Sequence, residues 1–277
     1  MILSTQQQFV DCLALNEQSQ YLANYQSLTL NSVFQPIYDV KKRMIGLEAL
    51  VRIHHKEQGA IRPDLFFHSD LYSFEDKMNV ERLSRVIHIR NFARSKFRHL
   101  KLFLNVLPST GEYLALQNID TSLLAKRIKA LNLDNSQFVM EVVELDAPDK
   151  SKLEQAMKKL AQSGFSVAID DYGVQASNRE RVEQLRPSIV KLDRSLMLAY
   201  VNGDQFPLLS GLQLAKKVKA QTVVEGIETL QQLEAMHQLK IDMFQGYFLA
   251  TPEPLEAVYC DESNDLRHIG DPSVVYR

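Results

Sequence analysis

Apolar residues gather along this chain in short, nearly continuous runs separated by longer segments of helical period, a rhythm that begins near residue 32. The runs cover residues 32–38, 45–51, 101–106, 137–143, 165–169, 188–192, 221–224 and 243–249. Several are β-branched or aromatic, as strands buried on both faces require. Residues 152–163 give the plainest helix. Leu153, Ala156, Met157, Leu160 and Ala161 fall on one stripe, and Gly164 follows where a left-handed residue ends a helix. Thr229 with Gln232 makes a capping-box start for a helix over 230–239. The first thirty residues are polar and Gln/Asn-rich with scattered apolar positions, and are expected to form one helix laid against the main body.

Eight strand-like runs with helices between most of them predict a parallel sheet, and eight is the number that closes a (β/α)8 barrel. Only residues 39–44 join the first two runs, too few for a parallel crossover of about 10–12 residues. Those two strands should therefore be antiparallel. The expected fold is α/β: a modified (β/α)8, TIM-like barrel with an antiparallel first strand. An open doubly wound sheet is the alternative, but no GxGxxG or GxxxxGK[ST] loop supports it. The expected division is an N-terminal helical extension (1–29), a barrel domain (30–256) and a C-terminal tail (257–277).

Composition narrows the function classes. The 277 residues carry 32 Lys+Arg against 34 Asp+Glu, a net charge of −2, so binding DNA or RNA through bulk electrostatics is not expected. Cys12 and Cys260 offer neither a disulfide framework nor a CxxC pair. No basic, apolar leader opens the chain, and no stretch reaches the ~18 apolar residues of a membrane helix. A soluble, cytoplasmic protein is expected, with the acidic residues 261–265 as solvated surface.

The informative feature is the polar residue at nearly every strand end. Glu48, Asn105, Glu141, Asp170 with Asp171, Lys191, Glu225 and Gln245 close successive runs. In a barrel these ends converge on one mouth, where active sites of this architecture lie. Five carboxylates in a shared space must be protonated or hold cations. Oxygen ligands without His or Cys favour Mg²⁺ or Mn²⁺. Adjacent acids such as Asp170 and Asp171 suit two bridged ions about 3.5–4 Å apart, and Lys191 adds a cation for a water or a phosphate. The residues read as a two-metal hydrolase of a phosphate ester.

These residues also carry a resemblance. Phe34-Gln35-Pro36-Ile37, Glu48-Ala49-Leu50-Val51-Arg52, Leu104-Asn105-Val106, Glu141-Val142-Val143-Glu144, Asp170-Asp171-Tyr172-Gly173, Lys191-Leu192-Asp193, Glu225-Gly226-Ile227-Glu228-Thr229 and Gln245-Gly246-Tyr247 resemble, in order, the motifs of the EAL-domain cyclic di-GMP phosphodiesterases. The resemblance implies a barrel with one antiparallel strand. It also implies cleavage of cyclic di-GMP to linear pGpG with two Mg²⁺ or Mn²⁺ ions, and it allows a homodimer. By the same resemblance Glu48, Asn105, Glu141 and Asp170 match ligands of one ion, and Asp170 with Asp171 those of the second. Lys191 and Glu225 match the residues that organise the attacking water, Gln35, Arg52 and Gln245 match substrate-side residues, and Glu144 matches the support of the loop after the paired acids. Glu228 reads equally as a helix N-terminal acid, and the histidines, including His54, His55, His88 and His237, lie away from the motifs.

The chain departs from the family after the paired aspartates. Gln175, Ala176 and Asn178 stand where a glycine, a tyrosine and a serine are usual, and Ile53 follows Arg52 in place of a tryptophan. No ligand position is lost. The alternative to an active phosphodiesterase is a non-catalytic domain that senses cyclic di-GMP or binds a protein.

Overall fold

The computed structural model describes residues 1–107, 119–120, 122–143, 149–174 and 177–258. The described residues fall into two compact units, one within 1–33, 50–98 and 254–258, the other within 34–49 and 99–253.

The first unit corrects the expectation of a helical N-terminus. Helix α1 spans only Gln6–Asp11, opened by a Thr5–Gln8 capping box and burying Phe9 alone. Strands β1 (Leu13–Leu15), β2 (Tyr21–Tyr25) and the start of β3 (Leu28–Asp39) follow as an antiparallel ribbon, Leu15 opposite Tyr21 and Ala23 opposite Leu30. The physical reason is a period of two: Tyr21, Ala23, Leu28 and Leu30 are buried with more open residues between them. The end of β4 (Met44–His55) pairs antiparallel with β5 (Gly59–Ile61), ahead of α2 (Pro63–His68) and α3 (Phe74–Arg94).

Helix α3 buries polar as well as apolar side chains, and these find partners in the N-terminal segments. Asn79 accepts from the Leu3 amide at 2.8 Å. Asn91 brackets Tyr21, accepting from its amide at 2.7 Å and donating to its carbonyl at 2.8 Å. His88 lies 2.8 Å from Ser32 Oγ.

The second unit holds the barrel. Its strands are the end of β3, the start of β4, β6 (Lys101–Val106), β7 (Phe138–Val142), β8 (Ser166–Tyr172), β9 (Ile189–Leu192), β10 (Gln221–Val224) and β11 (Met243–Phe244). They join in the order β3-β11-β10-β9-β8-β7-β6-β4, and a β3–β4 pairing closes the ring. Neighbours from β4 round to β11 are parallel, while β3 meets β11 antiparallel, as the short first connection requires. The eighth run is shorter than expected: its strand ends at Phe244, and beyond it Gly246 lies so close to the backbone of Ile227 that a Cβ would stand 2.1 Å from the Ile227 carbonyl oxygen.

Helices α4 (Leu123–Ala130), α5 (Lys150–Gln162), α6 (Arg179–Leu185), α7 (Arg194–Val201), α8 (Phe206–Val218) and α9 (Leu230–Gln238) lie between the strands. In α5 Leu153, Ala156, Met157 and Leu160 are buried as expected, whereas Ala161 is exposed. Gly164 has φ +90, and the Thr229–Gln232 capping box opens α9. Strand parity separates two cores. Ile169, Val190, Leu192 and Val224 cluster with helix residues such as Met197, Leu214 and Met236. Ile37, Phe103, Val139, Ala168, Ile189, Val223 and Met243, with Ile45 against them, fill the barrel.

Burial, reinforced by the charge of Arg85, holds the His88 imidazole down at about 3. Unfolded chain binds this proton near the ordinary value of 6.5, so between the two values the unfolded state carries more protons and stability falls as pH falls. Each pH unit below that value should remove up to about 1.4 kcal/mol. Urea unfolding at pH 7, 6 and 5 should show a shallower acid slope in His88→Asn than in wild type; equal slopes would contradict this.

Candidate functional site

The barrel interior is built in layers, and the candidate site is the layer above the apolar floor. Side chains two residues apart on a strand share a face. Two residues beyond Phe103, Val139, Ala168, Ile189, Val223 and Met243 of the floor stand Asn105, Glu141, Asp170, Lys191, Glu225 and Gln245. On β3, which runs the other way, Gln35 stands two residues before Ile37. On β4 the floor position is Gly46, where a Cβ would come within 2.7 Å of the Phe103 ring, and Glu48 stands two residues on. Each strand thus contributes one polar residue to one level.

Lys191 sits among the acids. Its Nζ is 2.7 Å from Asp170 Oδ1, 2.7 Å from Glu225 Oε1, 3.0 Å from Glu141 Oε1 and 3.4 Å from Glu48 Oε2. Burial alone would lower the Lys191 pKa, but the carboxylates of Asp170, Glu141, Glu225 and Glu48 outweigh it and hold the ammonium well above its ordinary value. Burial pushes Glu141 well above the usual carboxylate range; Lys191 opposes this, while Glu48 and Asp170 add to it. Glu225 is raised in the same way, with Asp170, Asp171 and Glu48 adding to its burial. One positive charge against this many acids leaves the layer short of cation.

Asp171 reaches the group by a different route. Neighbouring residues of a regular strand point to opposite faces, so Asp170 and Asp171 should diverge. At this point the β8–β9 register shifts between Ile169 and Tyr172, and Asp171 takes φ +48. A bulge of this kind re-aims a side chain, and the left-handed backbone costs about 1–2 kcal/mol in a residue with a Cβ. Two carboxylate groups result, Glu48 with Glu141 and Asp170, and Asp170 with Asp171 and Glu225, their oxygens in each case within 4.8 Å of one another. Asp170 is common to both.

The donor set fits divalent cations. Asn105 Oδ1 and Glu141 Oε2 are buried with no hydrogen-bond donor among the described residues, while Glu141 Oε1 and Asp170 Oδ1 face the Lys191 ammonium at 3.0 and 2.7 Å. Buried oxygens of this kind, with neither His nor Cys among them, suit hard cations.

The other expected residues divide. Gln245 donates to Glu48 Oε2 at 2.6 Å, and Gln35 to the Ala250 carbonyl at 3.3 Å. Arg52 belongs to the first unit, where it is exposed and donates to the Val51 carbonyl at 3.2 Å. Glu144, Gln175 and Ala176 lie outside the described residues. His55 accepts from the amides of Glu57 and Gln58, and His237 packs on Phe244 with centroids 4.3 Å apart. Two residues that no motif singled out support the mouth. Arg181 on α6 donates to the Val143 carbonyl at 2.9 Å, just past Glu141, and Arg194 on α7 meets Glu228 at 2.6 Å. Neither has a spacing signal, because each partner lies on a distant segment.

Removing a buried ion-pair partner typically costs about 3–5 kcal/mol. Lys191→Met in chelator-treated buffer should therefore lose about 3 kcal/mol or more by urea unfolding. An unchanged midpoint would contradict the charge balance described here.

The probable cyclic di-GMP phosphodiesterase PdeN of Escherichia coli is 27% identical over 231 residues, covering 80% of this chain and 43% of its own length. The cyclic di-GMP phosphodiesterase RocR of Pseudomonas aeruginosa is 28% identical over 250 residues, covering 84% of this chain and 61% of its own length. This chain therefore spans less than two thirds of either relative. Among solved structures, the Bacillus subtilis YkuI protein, with an EAL domain and in complex with substrate cyclic di-GMP and calcium, superposes with a TM-score of 0.68. It is 25% identical and covers 81% of this chain and 55% of its own. Residues 18–252 match the family model of the EAL domain, and the chain belongs to that family.

Proposed function

We propose that the chain is a metal-dependent phosphodiesterase that hydrolyses cyclic di-GMP to linear pGpG. The observation that carries this reading is the pair of carboxylate groups sharing Asp170 beside the buried ammonium of Lys191. The substrate is the one named for the relatives.

Glu48, Asn105, Glu141 and Asp170 would hold one Mg²⁺ or Mn²⁺, and Asp170 and Asp171, with Glu225 beside them, the second. Such ions, when bound, supply positive charge to the phosphate oxygens and lower the pKa of water. The chain's own groups do the rest. Lys191 keeps its proton and orients the attacking water by donating from Nζ. Glu225, 2.7 Å from Nζ, is the acid placed to take up a proton at its carboxylate. Arg52 would grip a phosphate oxygen with its planar fork, while Gln35 and Gln245 line the substrate side, Gln245 also fixing Glu48. Glu144 is proposed as the support of the loop after Asp171. In the balanced reaction the water oxygen bonds to phosphorus and the P–O3′ bond breaks. The 3′-oxygen leaves with a proton, and the phosphate stays on the 5′ side.

Purified protein incubated with cyclic di-GMP and Mg²⁺ or Mn²⁺ should yield pGpG by chromatography, and chelator should stop it. Glu48→Ala should lower turnover by at least about 100-fold, the scale on which misplaced reacting groups act. Undiminished turnover in that variant would overturn the metal assignment. Tight binding of the intact dinucleotide without product would make the chain a sensor instead.

A further inference from the structure

The loops that follow Lys191 and Glu225 are fastened to each other outside the mouth as well as inside it. Inside, Lys191 Nζ meets Glu225 Oε1 at 2.7 Å, and the Glu225 amide donates to the Leu192 carbonyl at 3.2 Å. Three residues past each of these, Arg194 on the first turn of α7 meets Glu228 Oε2 at 2.6 Å. The stem of Arg194 also covers Gly226, whose φ is +67; a Cβ there would stand 2.6 Å from Arg194 Cδ and Cγ. The residue after Glu225 is therefore covered by the methylene stem of Arg194, whose guanidinium is anchored on Glu228. The contact continues around the mouth. The Ile227 amide donates to the Gln245 carbonyl at 3.1 Å, the Gln245 amide donates to the Val224 carbonyl at 3.0 Å, and the Gln245 side chain holds Glu48 at 2.6 Å.

We propose that Arg194 is a positioning residue: paired with Glu228 across Gly226, it fixes the Glu225 carboxylate, and through the Ile227–Gln245 contact Glu48, in the arrangement that the reaction needs. This rests on the phosphodiesterase reading. The pair is half-exposed, with side-chain exposures of 45% and 44%. Pairs of that kind add little to stability, so its effect is on geometry. Misplacement by about 1 Å can cost about 100-fold in rate, which leaves room for a large kinetic effect with a small thermal one.

The test compares wild type with Arg194→Ala, Arg194→Lys, Glu228→Gln and the Arg194→Ala/Glu228→Gln double variant. Turnover of cyclic di-GMP is followed at saturating Mn²⁺, Mn²⁺ binding by calorimetry, and melting temperature alongside. Arg194→Ala should lower kcat by about 10-fold or more with KM within about 2-fold and Tm within about 2 °C. Arg194→Lys should recover part of the loss, and the double variant should be no slower than the worse single variant, as residues acting as one unit require. Mn²⁺ affinity should weaken in Arg194→Ala and recover in Arg194→Lys. A rise in KM alone would make Arg194 a substrate contact, and additive losses would separate it from Glu228; either result overturns the proposal. Should wild type itself show no turnover, the phosphodiesterase reading fails, and the calorimetry still decides whether Arg194 positions the acids: unchanged Mn²⁺ affinity overturns that too.

Discussion

The mouth of this barrel is organised by one ammonium held among too many acids. Lys191 reaches four carboxylates within 3.4 Å, and removing it would leave buried charge uncompensated at a cost of several kcal/mol per ion. One ammonium still falls short of neutrality, which explains why burial drives Glu141 and Glu225 upward despite Lys191 beside them. A buried layer that sets one ammonium among the carboxylates of Glu48, Glu141, Asp170, Asp171 and Glu225 is a layer suited to divalent cations.

The layer itself is a consequence of strand parity. An apolar floor with one residue from each strand specifies which side chain comes next on the same face, and at every strand end that side chain is polar. Two local departures complete the site. Gly46 makes room for Phe103 in the floor, and the bulge at Asp171 turns a side chain that regular alternation would send outward. The outer contacts, Arg181 on the Val143 carbonyl and Arg194 on Glu228, then hold the loops that carry the acids.

Much of this was legible in the chain because the barrel strands are short, apolar and punctuated by their terminal polar residue. β6 and β10 fall on the runs at 101–106 and 221–224, and the antiparallel β3 follows from six connecting residues. The N-terminal ribbon was not legible as strands. Tyr21, Ala23, Leu28 and Leu30 are too few and too separated by Gln and Asn to display their alternation, which becomes plain only where β2 pairs with β3. Adjacency in the sequence suggests Asp171 as a partner of Asp170, yet strand alternation alone predicts divergence; the register shift that unites them is a property of β8 against β9. Arg194 carries no signal of its own, because its meaning lies in a residue 34 positions away.

Whether the two carboxylate groups sharing Asp170 are cation sites is decided by anomalous diffraction at the manganese edge from crystals grown with Mn²⁺. Two peaks are predicted, one bounded by Glu48, Asn105, Glu141 and Asp170, the other by Asp170, Asp171 and Glu225. A map with no peak at the mouth, and with Lys191 still seated among its four carboxylates, would mean that the acids hold no cation.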